Sequence, residues 1–445
     1  MRTSEFLFEG CAFEPERSRL SLRYRYAGGP SFKEELIFDF APRALSLPEE
    51  RALESAFRLI HHLAGVSYYK AFAPKRLLSP AFPLDRDRAA FLEKFYRKGL
   101  AEFAFRNGIS LAGRLFFESE EEEIKPAPPP TLYLPRRTLV PVGGGKDSIV
   151  TLECLKAAGE PVVLFALGEA QPIAATIALS GLPAIRVRRR LDPALAALNK
   201  RGAMNGHVPI TGILSAIAVA AAILSGADRI AMSNEHSASA PNLVALGEEV
   251  NHQYSKSFEF EADFAETLER TVAKGLDYFS FLRPLSEIAI ARRFSRLPQY
   301  FGIFRSCNAA FRQDPKARIE GWCGNCPKCR FVFLALAPFV AKSDLLAIFG
   351  RNLLADAGQL DGFAALCGQR DWKPFECVGD TLESAAVLTF LAEREEWREE
   401  IVVRELAAAL ARKRQGPAAD FAGLFALRGP HRVPEAYLKM LDARF

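Results

Sequence analysis

From Arg137 to about Ala341, strand-like and helix-like stretches alternate, which predicts an α/β core on a parallel sheet. Two further observations frame that core. Residues 1–117 carry strand alternation followed by helical stretches, an α+β N-terminal domain, and residues 342–445 read as a mostly helical C-terminal region. N-terminal to that core, Glu118–Pro130 runs acids into prolines, which neither bury nor pair their backbone, so 118–136 is expected to be a linker and 137–341 the α/β domain.

In order, Phe6–Glu9, Ser18–Tyr26 and Glu34–Phe40 read as strands; Leu20, Leu22, Tyr24 and Tyr26 alternate cleanly. Pro48–Leu63 reads as a helix opened by proline and acids, and Ala89–Asn107 as a second helix stopped by Gly108. Tyr68-Tyr69-Lys70 reads as half-buried packing or a substrate surface. In the α/β core, strands are expected at Thr138–Val142, Pro161–Ala166, Ala184–Val187 and Arg229–Met232, with helices at Ser148–Ala158, Ala174–Leu179 and Ile210–Ser225. Phe258-Glu259-Phe260-Glu261 alternates as a strand, Arg283-Pro284-Leu285-Ser286 opens a helix, and Thr381–Arg412 gives long amphipathic helical runs.

Composition excludes several classes. A net charge of +5 suits a phosphorylated substrate but does not demand nucleic acid. The longest apolar run, Ile213–Leu224, is too short for a bilayer, and the N-terminus lacks a signal-peptide core, so a cytoplasmic protein is expected. Four of the eight cysteines crowd between Cys307 and Cys329, which in a reducing compartment favours metal over disulfides.

The chemistry centres on Leu139–Val150. An apolar strand ends in Gly143-Gly144-Gly145, followed by Lys146-Asp147-Ser148 and a helix start. Glycines let backbone N–H groups approach an anion, the helix N-terminus adds partial positive charge, and Lys146 adds a cation. The Walker A pattern fails, because Val140 stands where its first glycine belongs and Asp147 follows the lysine. The dinucleotide pattern fails at Ser148.

Other polar loops fall on the same rim. Asn205-Gly206-His207-Val208-Pro209 precedes a helix, and either caps it or serves the site. Ser233–Asn242 is a dense polar loop after a strand, with Asn234, Ser237 and Asn242 as substrate contacts and Glu235 and His236 as proton carriers. Arg186–Arg190 is either a solvated strand end or, through Arg186 and Arg188, a seat for a second phosphate. Asp371–Gly379 is a buried connector or a lid that brings Glu376 or Cys377 to the substrate. Cys323, Cys326 and Cys329 repeat every third residue around Gly324 and Pro327, with Cys307 as a fourth thiol. Four thiolates suit structural zinc; an iron–sulfur cluster or unliganded cysteines are the alternatives.

Gly143-Gly144-Gly145-Lys146-Asp147-Ser148 resembles the loop of the PP-loop ATP pyrophosphatase family. That resemblance implies ATP cleaved between its α and β phosphates, an adenylated substrate, Ser148 on the leaving pyrophosphate and Asp147 on magnesium. The cysteine cluster is similar to that of 7-cyano-7-deazaguanine synthase, another PP-loop enzyme. Taken together, the loop, Asn205–Pro209, Ser233–Asn242, Trp322–Cys329 and Lys373–Gly379 resemble the UDP-N-acetyl-α-D-muramoyl-L-alanyl-L-glutamate epimerase family. This implies ATP- and magnesium-dependent inversion of the terminal L-Glu of a nucleotide-sugar dipeptide, for peptidoglycan, with Lys146 balancing phosphate charge and His207, Glu235, His236, Glu376 and Cys377 as candidate proton carriers. A deazaguanine synthase-like enzyme, a tRNA-modifying enzyme and a non-catalytic nucleotide sensor are the other readings. The weak net charge speaks against tRNA.

Overall fold

The computed structural model describes residues 4–40, 43–119, 128–245, 247–312, 314–412 and 420–442, so most of the Glu118–Pro130 stretch lies outside the described residues. Its strands are β1 (Glu5–Glu14), β2 (Arg19–Tyr26), β3 (Ser31–Asp39), β4 (Arg76–Leu78), β5 (Phe116–Phe117), β6 (Thr138–Pro141), β7 (Val162–Leu167), β8 (Ala184–Arg190), β9 (Arg229–Met232), β10 (Leu243–Ala245), β11 (Glu248–Val250) and β12 (Asp277–Ser280). Ten form one sheet, in the order β12-β9-β6-β7-β8-β3-β2-β1-β4-β5. The strands from β12 to β8 run parallel. β3 then pairs antiparallel with β8, from Glu35 opposite Arg190 to Asp39 opposite Arg186. The N-terminal strands therefore extend the same sheet.

Alternation along the parallel strands explains the layers. Leu139, Phe165, Val187 and Ile230 face one core; Val140, Leu164, Ala166 and Ala231 face the other. The first core also holds Phe6, Leu22, Tyr24 and Leu36 with the helices Leu47–Ala64 and Ile210–Ser225, so the N-terminal unit and the parallel strands share one interior. The second core takes the helices Lys146–Ala157 and Glu287–Phe294 and the C-terminal helices. The Ala-rich face of Ile210–Ser225 is wholly buried from Ala216 to Ile223, and small side chains let it lie close against its neighbours.

Four expectations need correction. Phe258–Glu261 is not a strand but the first turn of the helix Phe258–Thr271; Ser257 caps it, and Phe260, Phe264 and Leu268 recur at helical spacing. The Ala89–Asn107 stretch is two helices, Arg86–Gly99 and Ala101–Arg106. Gly99 sits at the break because a Cβ there would come within 2.7 Å of Pro209. Thr381–Arg412 likewise divides into Thr381–Ala392 and Ile401–Arg412. The third core strand, expected at Ala184–Val187, runs on to Arg190, so the whole Arg186–Arg190 run lies within it. β12 was not anticipated. No described helix is long and apolar enough to cross a membrane.

Candidate functional site

β6 lies between β7 and β9, so the chain leaves it towards one side of the sheet and returns later on the other. Open α/β sheets bind ligands at such a switch point, beyond the carboxyl ends of the strands. Gly143–Gly145 occupies that place, and the helix Lys146–Ala157 starts there with Gly145 as its N-cap. Gly144 has φ +76°, and a Cβ on it would meet the backbone of Pro172 at 2.8 Å. Ser148 Oγ accepts from the Gly143 amide at 3.4 Å and donates to the Gly145 carbonyl at 3.2 Å, which folds the loop over its own helix end. Across it, the Arg305 amide donates to Gly144 O at 2.8 Å.

Lys146 is not a mobile cation. It is 4 % exposed, and its ammonium donates to both Asp147 and Glu287. Burial opposes the charge, but the two carboxylates hold the amine protonated, above its usual range. The ammonium is thus tied to two acids rather than extended towards a ligand, which leaves backbone amides as the loop's candidate donors to an anion.

A cavity of about 990 Å³ lies between the Asn205–Val208 stretch, the loop after β11 and the Glu376–Cys377 segment. His207, Asn205, Glu376 and Cys377, all expected from the sequence, line it together with Lys70 of the Tyr68–Lys70 trio and Arg189 of the basic run, as do His252 and Lys256, which were not assigned. Lys256 Nζ lies 3.3 Å from Cys377 Sγ and also feels the charges of Glu235 and Asp147, so the cation beside the thiol is within electrostatic reach of the glycine loop. Burial pushes the Cys377 thiol up, yet Lys256, His252 and Lys328 outweigh it and bring it down to about 6. His252 donates through Nδ1–H to Glu102 and interacts with the thiol; burial works against its charge, but Cys377 and Glu102 raise it to about 9. His207 lies against His252 with ring centres 4.3 Å apart; burial and His252 lower it to about 4. Lys70, lowered to about 8 by burial, donates to the Asn205 side chain and, at 3.0 Å, to Gly206 O.

The remaining expected residues are placed as follows. Glu376 accepts from Asn308 at 2.5 Å and faces Lys328 at 3.8 Å, so it is tied to the cysteine cluster. Asn242 donates to Pro374 O at 2.8 Å and accepts from the His252 amide at 2.9 Å, holding the thiol segment against the histidine loop. Asn234 donates to Ser280 inside the fold, and Ser237 is buried beside Glu235. Arg283, fully buried, donates to Glu261 and to the carbonyls of Glu235 and Lys256, which fixes both segments. His236 lines a different cavity, with Arg97 and Glu248. Arg186 and Arg188 project from the exposed face of β8; the cavity receives Arg189 instead, which pairs with the buried Glu34 at 2.7 Å.

The four cysteines converge. Cys323 and Cys326 lie 3.6 and 3.5 Å from Cys329, and Cys326 lies 3.9 Å from Cys307. Ligands at about 2.3 Å around a tetrahedral ion sit about 3.8 Å apart, so the group could hold a metal ion.

Residues 1–281 match the family model described as the MurL N-terminal domain, and residues 303–421 that of the MurL C-terminal domain. The first match spans every strand of the ten-stranded sheet and the second spans the cysteine cluster and Cys377. The chain is 41 % identical over 442 residues to the UDP-N-acetyl-alpha-D-muramoyl-L-alanyl-L-glutamate epimerase of Xanthomonas oryzae pv. oryzae, covering 99 % of this chain and 98 % of that protein. It is 46 % identical over 391 residues to the epimerase of the same name from Micromonospora sp., covering 87 % and 86 %. With the Salinispora tropica protein of that name it shares 42 % over 447 residues, covering 99 % and 96 %.

Proposed function

From the premise that the chain belongs to the UDP-N-acetyl-α-D-muramoyl-L-alanyl-L-glutamate epimerase family, we propose that this enzyme adenylates the terminal L-Glu of its nucleotide-sugar dipeptide with ATP, inverts the α-carbon and releases D-Glu product, AMP and pyrophosphate. The observation that carries this reading is Lys256, one cation beside the Cys377 thiol and within electrostatic reach of the glycine loop.

The chemistry has a physical motive. Taking the α-proton beside a free carboxylate would add a second negative charge to the first. Adenylation neutralises the carboxylate and offers an acyl group that accepts electron density. The loop at the switch point has PP-loop character in this reading, with the amides after Gly143 and the Ser148 hydroxyl on the pyrophosphate. Asp147, half-exposed at its side chain, fits as a magnesium ligand. Magnesium would balance phosphate charge there. Among the expected proton carriers, Cys377 lines the cavity with a thiol held near neutrality, whereas Glu376 is tied to Asn308. His236 and the Arg186–Arg188 pair fall outside this account. Zinc in the cysteine quartet would fix Asn308 and Lys328 on the cavity wall. We place the reaction in the cytoplasm.

The test is direct. Purified protein, ATP, magnesium and UDP-N-acetylmuramoyl-L-alanyl-L-glutamate are incubated, and Glu chirality and AMP are read together. D-Glu with AMP supports the proposal. AMP without D-Glu keeps adenylation and discards the epimerisation; neither product discards both.

A further inference from the structure

The corner that holds Cys377 is built from three distant segments. Glu102 comes from the helix Ala101–Arg106, His252 from the loop after β11, and Cys377 from the C-terminal region. Glu102 is 5 % exposed; one oxygen accepts from Arg106 Nε at 2.6 Å and the other meets His252 Nδ1 at 2.5 Å. The same imidazole lines the cavity together with the Cys377 thiol, and the two stabilise each other's charged forms. A buried carboxylate behind an imidazole behind a thiol is the arrangement that fixes the ring and stabilises its charged form while the sulfur is a thiolate.

We propose that Glu102 and His252, both from the half of the chain that carries the sheet, form a relay that holds Cys377 as the thiolate that accepts the α-proton. This rests on the epimerase reading. In the step, an S–H bond forms as the Cα–H bond breaks, and the electron pair passes into the acyl adenylate as its enolate. A proton then returns to the opposite face from a donor on the cavity wall, where Lys70 stands, and water releases AMP. Glu102 and His252 are positioning residues, since they act through the sulfur. The charges facing the thiol support the assignment: Lys256 and Lys328 besides His252, with His207 and Arg106 behind Glu102. The bond from Glu102 to His252 also gives the N-terminal helices a task at the site.

The experiment is peptide-resolved alkylation of Cys377 with iodoacetamide across pH, in wild type, Glu102→Gln, Glu102→Asp and His252→Ala, each checked by circular dichroism. Wild type should react with a midpoint near pH 6. Glu102→Gln and His252→Ala should move it up by a unit or more and cut D-Glu formation roughly tenfold or more, while ATP–pyrophosphate exchange stays within about threefold. Glu102→Asp should recover part of the wild-type profile. An unmoved midpoint in the folded variants would overturn the relay. So would a stoichiometric metal ion held by Glu102, His207 and His252 and lost from Glu102→Gln. A wild-type midpoint near pH 6 in a protein that makes no D-Glu would instead overturn the epimerase reading and leave the activated thiol standing.

Discussion

The glycine loop and the thiol corner are made in opposite ways. The loop is six consecutive residues placed by one strand and one helix, and its geometry is local: Gly144 at φ +76° and Ser148 bonded back to Gly143 and Gly145. The corner has no local rule. Glu102 and His252 are 150 residues apart in the chain, and Lys256 and Cys377 are 121 apart. The loop therefore depends on backbone shape, and the corner on the whole sheet and its C-terminal cover being in register. Damage to each should have a different signature.

The largest effect should come from the loop. On the proposed adenylation, Ser148→Ala would remove a hydroxyl from the pyrophosphate and should lower AMP formation by about 10²–10³-fold with an unchanged far-ultraviolet spectrum. Turnover near normal would end the comparison by removing the loop from the chemistry. Gly144→Ala puts a Cβ against Pro172 in a left-handed backbone, and should cost about 1–3 kcal/mol in thermal unfolding and weaken ATP binding.

The corner should respond to pH where the loop does not. Cys377 is brought from its ordinary thiol range down to about 6, so its thiolate persists on acidification until that value. Inversion should then fall by about tenfold per unit below pH 6, while pyrophosphate exchange holds over the same range. Parallel decline of both rates would mean that acid acts on the loop. Cys326→Ser should lower bound metal and the melting temperature together, the latter by several degrees; metal content equal to wild type would discard the quartet as a metal site. The smallest effect is expected from Asn242→Ala, which removes the tie between Pro374 and the His252 amide, worth about 1 kcal/mol, and should slow inversion a few-fold without touching exchange.

What could be read in the sequence follows the same division. The parallel strands and the helices between them were legible because period-two and helical patterns are local, and Ile210–Ser225 and Arg229–Met232 fall where they were expected. The loop and the cysteine spacing were legible because neighbours in sequence are neighbours in space. Phe258–Glu261 misled because four alternating residues fit either period, and only Phe264 and Leu268 beyond them reveal the helix. His252 carried no signal: a lone histidine in a polar loop acquires a role only when Glu102 and Cys377 arrive from elsewhere. Arg189 was passed over for Arg186 and Arg188 because a basic run does not say which face of its strand meets the cavity.

The most direct test of two separable halves is Cys377→Ser assayed in deuterium oxide, with pyrophosphate exchange, Glu chirality and deuterium at the α-carbon read from one reaction. Exchange should remain within a few-fold of wild type while D-Glu and α-deuterium fall by about a hundredfold or more. D-Glu formed at the wild-type rate would contradict the account, because the inversion would then proceed without the thiol.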